Sequence, residues 1–285
     1  MNASELTFGI EIETIAPRST IENDGLRIGA YHHGIQVPYL PQGWTAERDA
    51  SIDTRNIPGG QACEIVSPIL RGAEGLAQVA EVLRTLEAKG FRVNASTGFH
   101  AHVGWPRSLP ADALARLVTI VAYVEKGLYA ITGTKSRERG MYCGGVRKYG
   151  DAKKAKPTLD RSRYHALNLT NLANGRRDTV EFRVFSGSTS AVKVIGWIQV
   201  CLGLVERAIN AKRTPTWNPK PLKGGWKKAG EGASEAERLM GYLAWGAGYA
   251  RIHNGTQYGW ISDIIPQDQI KSEFRRLAAK YDAQA

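Results

Sequence analysis

The chain has 285 residues, of which 42% are hydrophobic and 23% are charged, as in an ordinary globular protein with a substantial core. Lys and Arg outnumber Asp and Glu by 38 to 27, and this surplus indicates anionic partners such as nucleotide phosphates, nucleic acid or acidic substrates. Three scattered cysteines exclude a disulfide framework, and neither a basic leader nor an apolar run of about 18 residues is present, so we expect a soluble, cytoplasmic protein without a membrane partner.

Hydrophobic spacing predicts a sheet and two helices in the first half of the chain. Apolar residues alternate over 5–14 and recur at helical spacing over 73–88, where Gly90 suits the helix cap. The predicted elements are, in order, a strand over 5–14, a long loop over 15–43, a short strand over 63–68, a helix over 73–88, strands over 91–94 and 98–105, and a helix over 110–131.

The second half begins with a segment of different character. Residues 133–161 are rich in Lys, Arg and Gly, which predicts a mobile basic loop. After it we predict strands over 163–170 and 179–185 with a turn at 173–175, a helix over 191–211, a linker over 214–230, and helices over 234–250 and 267–283. The whole predicts an α+β fold with a largely antiparallel sheet, residues 1–212 forming one domain and 213–285 a linker and helical C-terminal extension.

Two carboxylates lie side by side on the first predicted strand. Glu11 and Glu13 are two residues apart, so their side chains share one face at roughly 6.5–7 Å. Like charges at this distance repel unless a cation neutralises them. Oxygen-rich sites of this kind suit magnesium or manganese, with phosphate oxygens completing the shell.

The same pattern recurs on the other strands. His100 and His102 share a face, Glu181 and Arg183 share a face, and Glu64 points away from its apolar neighbour. Each pair alone is as well explained by a solvated face or a cross-strand ion pair. Together they favour a sheet with one concave ionic face, which would hold metal and nucleotide, and one apolar face covered by helices.

Six motifs in order then carry a family resemblance. They read FGIEIET, DAS, EIVSPIL, STGFHAHVG, RYHALNL and TVEFRVF, between residues 8 and 185. In this order and spacing the chain resembles the amidoligase family, which belongs to the carboxylate–amine ligases and shares the glutamine synthetase-like fold. The resemblance covers about residues 5 to 200.

The resemblance implies roles for the matched residues. Metal ligands are implied at Glu11, Glu13, Glu64, Glu181 and His102. One histidine of His100 and His102 would face the metal or the nucleotide phosphates, and both remain candidates. Arg183 would bind phosphate as a catalytic residue, and Asp49 would act near the metals or the amine.

Basic residues outside the matched strands are further candidates. Arg163 and Arg161 lie next to a predicted strand, where we expect them to bind substrate or nucleotide. Lys148 belongs to the basic segment 133–161, which is interpreted either as a lid that clamps phosphates or as a solvated insert.

The function implied is an ATP-dependent ligase that uses magnesium, with manganese as an alternative. A carboxylate, such as that of glutamate, a peptide or a protein, would be phosphorylated to an acyl phosphate, and an amine would then form the amide. Three alternatives stay open: another metal-dependent phosphoryl-transfer enzyme, a phosphohydrolase, and a basic non-catalytic protein that binds nucleotide or nucleic acid. Nucleic acid is disfavoured because no aromatic-interleaved binding motif is found, and homo-oligomerisation is left open.

Overall fold

An eight-stranded sheet forms the centre of the computed structural model, which describes residues 1–212, 215–217, 234–245 and 255–284. The strands are β1 Thr7–Ala16, β2 Ile35–Gln36, β3 Thr45–Glu47, β4 Gln61–Val66, β5 Leu70–Arg71, β6 Gly98–Gly104, β7 Leu167–Asn168 and β8 Thr179–Ser186. Their order is β2-β3-β4-β1-β6-β8-β7, with β5 paired to β1, and every pairing is antiparallel.

Helices flank this sheet. They are α1 Arg18–Asn23, α2 Gly72–Ala88, α3 Ala111–Ala130, α4 Ser136–Arg139, α5 Ala152–Leu159, α6 Thr170–Ala173, α7 Ala191–Asn210, α8 Glu235–Tyr242 and α9 Gln267–Asp282. Phe99 of β6 and Phe185 of β8 pack on Trp197 of α7, with ring centroids 5.7 and 5.0 Å away. The predicted α+β fold with a largely antiparallel sheet is therefore confirmed.

A bulge in β8 interrupts the simple alternation of that strand. Phe99 pairs with Phe185 and Ala101 pairs with Phe182, so Arg183 and Val184 together face the single residue between them on β6. The extra residue changes which side chains point to each face. It leaves Arg183 on the ionic face and turns Phe185 into the core.

Several sequence predictions need correction. The predicted loop over 15–43 contains α1 and β2, and the predicted strand over 91–94 is reduced to one bridge between Arg92 and Ile15. The predicted strand over 163–170 shrinks to β7 and is followed by α6. In the two shortened strands, too few residues find a neighbouring strand to pair with.

The interpretation of residues 133–161 as a loop is wrong. They form α4, α5 and two 3-10 turns, and buried polar side chains hold their backbone. The Glu125 carboxylate accepts hydrogen bonds from the amides of Val146 and Arg147 at 2.8 and 2.7 Å, and the Tyr129 hydroxyl donates to the Cys143 carbonyl. The spacing of apolar residues in the sequence gives no sign of such hydrogen bonds.

The described C-terminal residues pack against the main helices. α8 contacts α3, and α9 contacts α3, α7 and α8. The predicted linker over 214–230 lies outside the described residues except for 215–217, as does the end of the predicted helix over 234–250. The domain boundary after residue 212 stays a prediction. Among the helices of the described ranges, none has the length and apolar character that a membrane span requires.

Candidate functional site

The ionic face of the sheet forms the floor of a cleft of about 510 Å³. Antiparallel register brings its side chains together: Glu11 lies opposite His100, Glu181 opposite His102, and Glu13 opposite Glu64. Cross-strand neighbours have Cβ atoms about 5 Å apart, so these groups must interact. The expected gathering of acidic and imidazole groups on one face is therefore present.

His100 lies at the centre of four carboxylates and is buried. Its Nδ1 is 3.1 Å from Glu11 Oε2, and its Nε2 is 3.4 Å from Glu13 Oε1. Nδ1 also lies 4.0 Å from Glu64 Oε1 and 3.8 Å from Glu181 Oε1. The two ring nitrogens thus face different carboxylates.

Fixed donors orient two of these carboxylates. The amide of Gly98 donates to Glu13 Oε2 at 2.5 Å. Glu181 accepts hydrogen bonds from Asn168 Nδ2 at 2.6 Å and from Arg183 Nη1 at 2.5 Å. Both oxygens of Glu181 are therefore held in place by neighbouring side chains.

Imidazole charge determines the ionisation of two carboxyls. Burial opposes ionisation of Glu11, but the charge of His102 and the hydrogen bond of His100 outweigh it and lower the pKa of Glu11. Burial likewise opposes ionisation of Glu181, and the charges of His102 and Arg183 lower its pKa. In return, Glu11 and Glu181 outweigh burial at His102 and raise the pKa of that imidazole.

Glu64 behaves in the opposite way. Burial raises the pKa of this carboxyl, and the charges of Glu11 and Glu13 raise it further. Without an added cation, Glu64 therefore keeps its proton to a higher pH than an ordinary glutamate does. A divalent cation between these groups would remove the repulsion.

The residues fit a divalent metal ion. Two groups bring their ligand atoms within 4.8 Å of one another, namely Glu11, His100 and Glu181, and Glu13, Glu64 and His100. His102 is buried and neither of its ring nitrogens makes an aligned hydrogen bond, although Nε2 lies 3.1 Å from Glu11 Oε1. The carboxylate oxygens of these groups suit magnesium or manganese.

The other predicted site residues divide into two groups. Asp49, Arg163 and Arg183 line the same cleft, with Arg163 at its mouth. Arg161 and Lys148 are exposed and do not belong to the cleft wall. The structure thus brings every predicted metal ligand together but leaves these two cations outside, and their predicted role in nucleotide binding gains no support.

The sequence reasoning missed several residues of the cleft. Asn168 fixes Glu181 through a hydrogen bond. The one sign of it in the sequence is that a polar residue interrupts the apolar run ALNL. Glu47 of β3 lies opposite Glu64 and extends the carboxylate row to a third strand. Tyr31 and Arg177 also line the cleft, and no local pattern marked either of them.

Comparison with known proteins identifies the family. A family model described as "Putative amidoligase enzyme" matches residues 4–161 and 150–205. These segments cover more than half of the chain, so the chain belongs to the amidoligase family. A search of curated proteins finds no match.

Two solved structures are similar to the chain. A bifunctional glutathione synthetase from Pasteurella multocida is 9% identical with a TM-score of 0.47, and the match covers 99% of this chain and 48% of that one. A structure of apo GmaS without ligand is 14% identical with a TM-score of 0.40, covering 98% of this chain and 70% of that one. The chain thus spans about half the length of the glutathione synthetase.

Proposed function

We propose that this protein is an ATP- and magnesium-dependent carboxylate–amine ligase that works through an acyl phosphate. The observation that carries the proposal is the arrangement of four glutamates around His100, beside Arg183, in a chain of the amidoligase family. Phosphoryl transfer needs this combination, because charge on the transferring group must be neutralised from several sides.

The metal ligands in this proposal are Glu11, Glu13, Glu64 and Glu181 together with an imidazole. His100 contacts all four carboxylates, whereas His102 pairs with Glu11 through Nε2 without an aligned hydrogen bond, so the two histidines serve the site in different ways. Magnesium or manganese bound there supplies charge neutralisation for the nucleotide phosphates.

The protein's own groups then guide two steps. The substrate carboxylate attacks the γ-phosphate of ATP, ADP leaves, and Arg183 binds the transferring phosphoryl group. The amine next attacks the acyl carbon, inorganic phosphate leaves, and the amide forms. Asp49, on the same cleft wall, would bind the amine and accept its proton.

The mouth of the cleft limits access of water. Arg163 and Tyr31 meet there, and shielding matters because an acyl phosphate hydrolyses when water reaches it. We propose glutamate, or a carboxylate of a peptide or protein, as the first substrate. The second substrate in this proposal is an amine.

The first experiment is calorimetric titration of the protein with AMPPNP, with and without magnesium. We expect binding that requires the metal and is lost in Glu11→Gln, while Glu87→Gln, an exposed change on α2, binds as the wild type does. Absence of nucleotide binding with magnesium or manganese would contradict the proposal.

Product analysis then separates the alternatives. A ligase releases ADP and phosphate only when carboxylate and amine are both present. A stable phosphorylated product without amine indicates a kinase-like enzyme, and phosphate released from a phosphoester alone indicates a phosphohydrolase. Salt-sensitive DNA binding without nucleotide turnover would support the non-catalytic alternative.

A further inference from the structure

Arg137 brings a guanidinium group from outside the sheet into the cleft. It lies on α4, within the segment 133–161, and lines the cleft together with the glutamates. A Cβ atom at position 98 would lie 3.0 Å from Arg137 Nη2 and 3.2 Å from His100 Nε2. Gly98 therefore leaves the space in which this guanidinium sits beside His100.

The charge of Arg137 has no counter-ion among the described residues. Its Nη2 donates to the carbonyl of Arg183 at 2.8 Å, at the bulge of β8. Its Nε is buried without a hydrogen-bond partner, and no carboxylate of the described ranges forms an ion pair with it. A half-buried guanidinium that faces the proposed metal cleft with its Nε unpaired is suited to an anionic oxygen.

The C-terminal helix α9 and Gln284, two residues beyond its end, hold the segment that carries Arg137. The side chain of Gln284 accepts a hydrogen bond from the Lys135 amide at 3.0 Å and donates one to the Gly133 carbonyl at 3.0 Å. The Tyr281 hydroxyl donates to the carboxylate of Glu138. These contacts fix the backbone on both sides of residue 137.

The helix itself is firmly seated. Phe274 and Leu277 of α9 are buried, and Phe274 stacks near Trp245. A Cβ at Gly133 would come 2.6 Å from Leu277 Cδ2, and one at Gly196 would come 2.8 Å from Phe274 Cζ. Two glycines thus permit the close approach, and α9 can act as a rigid support.

We propose that Arg137 binds the terminal phosphoryl group of the nucleotide and that α9 is its positioning element. The inference rests on the proposed function, because the anion it assigns is the phosphoryl group transferred there. It gives the helix, which lies beyond the residues matched by the family model, a role in the cleft. It also replaces the lid interpretation, since Arg137 is held by fixed contacts.

The binding test compares AMPPNP with ADP in the presence of magnesium. Arg137→Gln should weaken AMPPNP about tenfold or more and leave ADP within about twofold, because only AMPPNP offers the terminal group. Gln284→Ala should weaken AMPPNP about threefold. Gln269→Ala, an exposed change near the start of α9, is the matched control and should bind as the wild type does.

Equal weakening of both nucleotides by Arg137→Gln would contradict a phosphoryl contact, because a merely structural residue affects both. An unchanged AMPPNP affinity would contradict it as well. If the wild type binds neither nucleotide with magnesium or manganese, the proposed function and the phosphoryl assignment to Arg137 fail together.

Hydrogen exchange tests the support by α9 without any ligand. Gln284→Ala should speed exchange of the amides over 133–140, and Gln269→Ala should not. Unchanged exchange in Gln284→Ala would overturn the positioning role even if Arg137 binds nucleotide. The failure of the proposed function and the failure of the positioning role are therefore distinguishable.

Discussion

The hydroxyl of Tyr31 accepts a hydrogen bond from Arg163 Nη1 at 2.8 Å, and this bond joins the two edges of the sheet. Tyr31 lies just before the edge strand β2, and Arg163 lies just before β7 at the opposite edge. Both side chains line the cleft and are exposed. The contact therefore crosses the mouth of the cleft above the glutamates.

Breaking this contact should speed the release of bound nucleotide. Tyr31→Phe keeps the ring and removes the hydroxyl, so we expect dissociation of a fluorescent ATP analogue to quicken about two- to tenfold. Stopped-flow displacement measures the rate. Tyr142→Phe is the control, because Tyr142 also lines the cleft but its hydroxyl makes no hydrogen bond to any of the described residues. Equal rates in all three proteins would contradict a closing role for the contact.

Metal-free protein should become more stable when Glu64 is replaced by glutamine. The pKa of Glu64 is raised above its ordinary value of 4.5 by burial and by Glu11 and Glu13. As pH rises above that value, the unfolded state releases its proton first, so the folded state loses stability. In chelator at pH 7, the melting temperature of Glu64→Gln should therefore lie several degrees above that of the wild type. This difference in melting temperature should narrow as the pH is lowered toward 4.

Added metal should reverse this order of melting temperatures between the wild type and Glu64→Gln. Manganese should raise the melting temperature of the wild type, because an ion that binds the folded state stabilises it, and should raise that of Glu64→Gln much less. Glu87→Gln should follow the wild type throughout. A Glu64→Gln variant that melts below the wild type in chelator would show that the ionised carboxylate is favourably paired.

Gly145 should tolerate no side chain. A Cβ there would lie 2.0 Å from Glu125 Oε1 and 3.0 Å from its Cδ, and this carboxylate is fixed by two backbone amides. Gly145→Ala should lower the free energy of unfolding by about 1–3 kcal/mol, measured by urea denaturation. A Cβ at Gly144 would lie 3.4 Å from its nearest atoms. Gly144→Ala should therefore change the free energy of unfolding by less than about 0.5 kcal/mol. Equal stability of the two variants would contradict the clash.

The three cysteines should be unreactive in the folded protein. Burial, with the charge of Glu64, raises the pKa of Cys63 to about 12, and burial also raises the pKa of Cys143 and Cys201. At pH 8 only about one Cys63 thiol in ten thousand is then ionised. Ellman's reagent should label no thiol at once in the native protein and all three in guanidinium chloride.

An added exposed thiol supplies the control for that labelling. Ser4 is exposed, and Ser4→Cys should react immediately and with a stoichiometry of one. Rapid labelling of the wild type would show that one of the three buried sites opens readily.

Much of the candidate site was predictable because strand alternation is local. Glu11, Glu13, His100 and Glu181 each share a face with a polar neighbour two residues away, and Glu64 points away from apolar Ile65. Two-residue periodicity fixes which face each side chain takes once a strand forms. The long helices α2, α3, α7 and α9 were predicted for the same kind of reason, since their apolar stripes repeat every three to four residues.

Only the tertiary structure decided which strands are neighbours and what stands over the ionic face. Strand order places Glu181 opposite His102, and a bulge that no periodicity signals turns Phe185 from that face into the core. The contact between Arg137 and Arg183 joins residues 46 positions apart in the sequence. The contact between Tyr31 and Arg163 spans 132 positions, and that between Lys135 and Gln284 spans 149. Contacts at such separations depend on register and on the packing of the whole core, so no local pattern in the sequence could specify them.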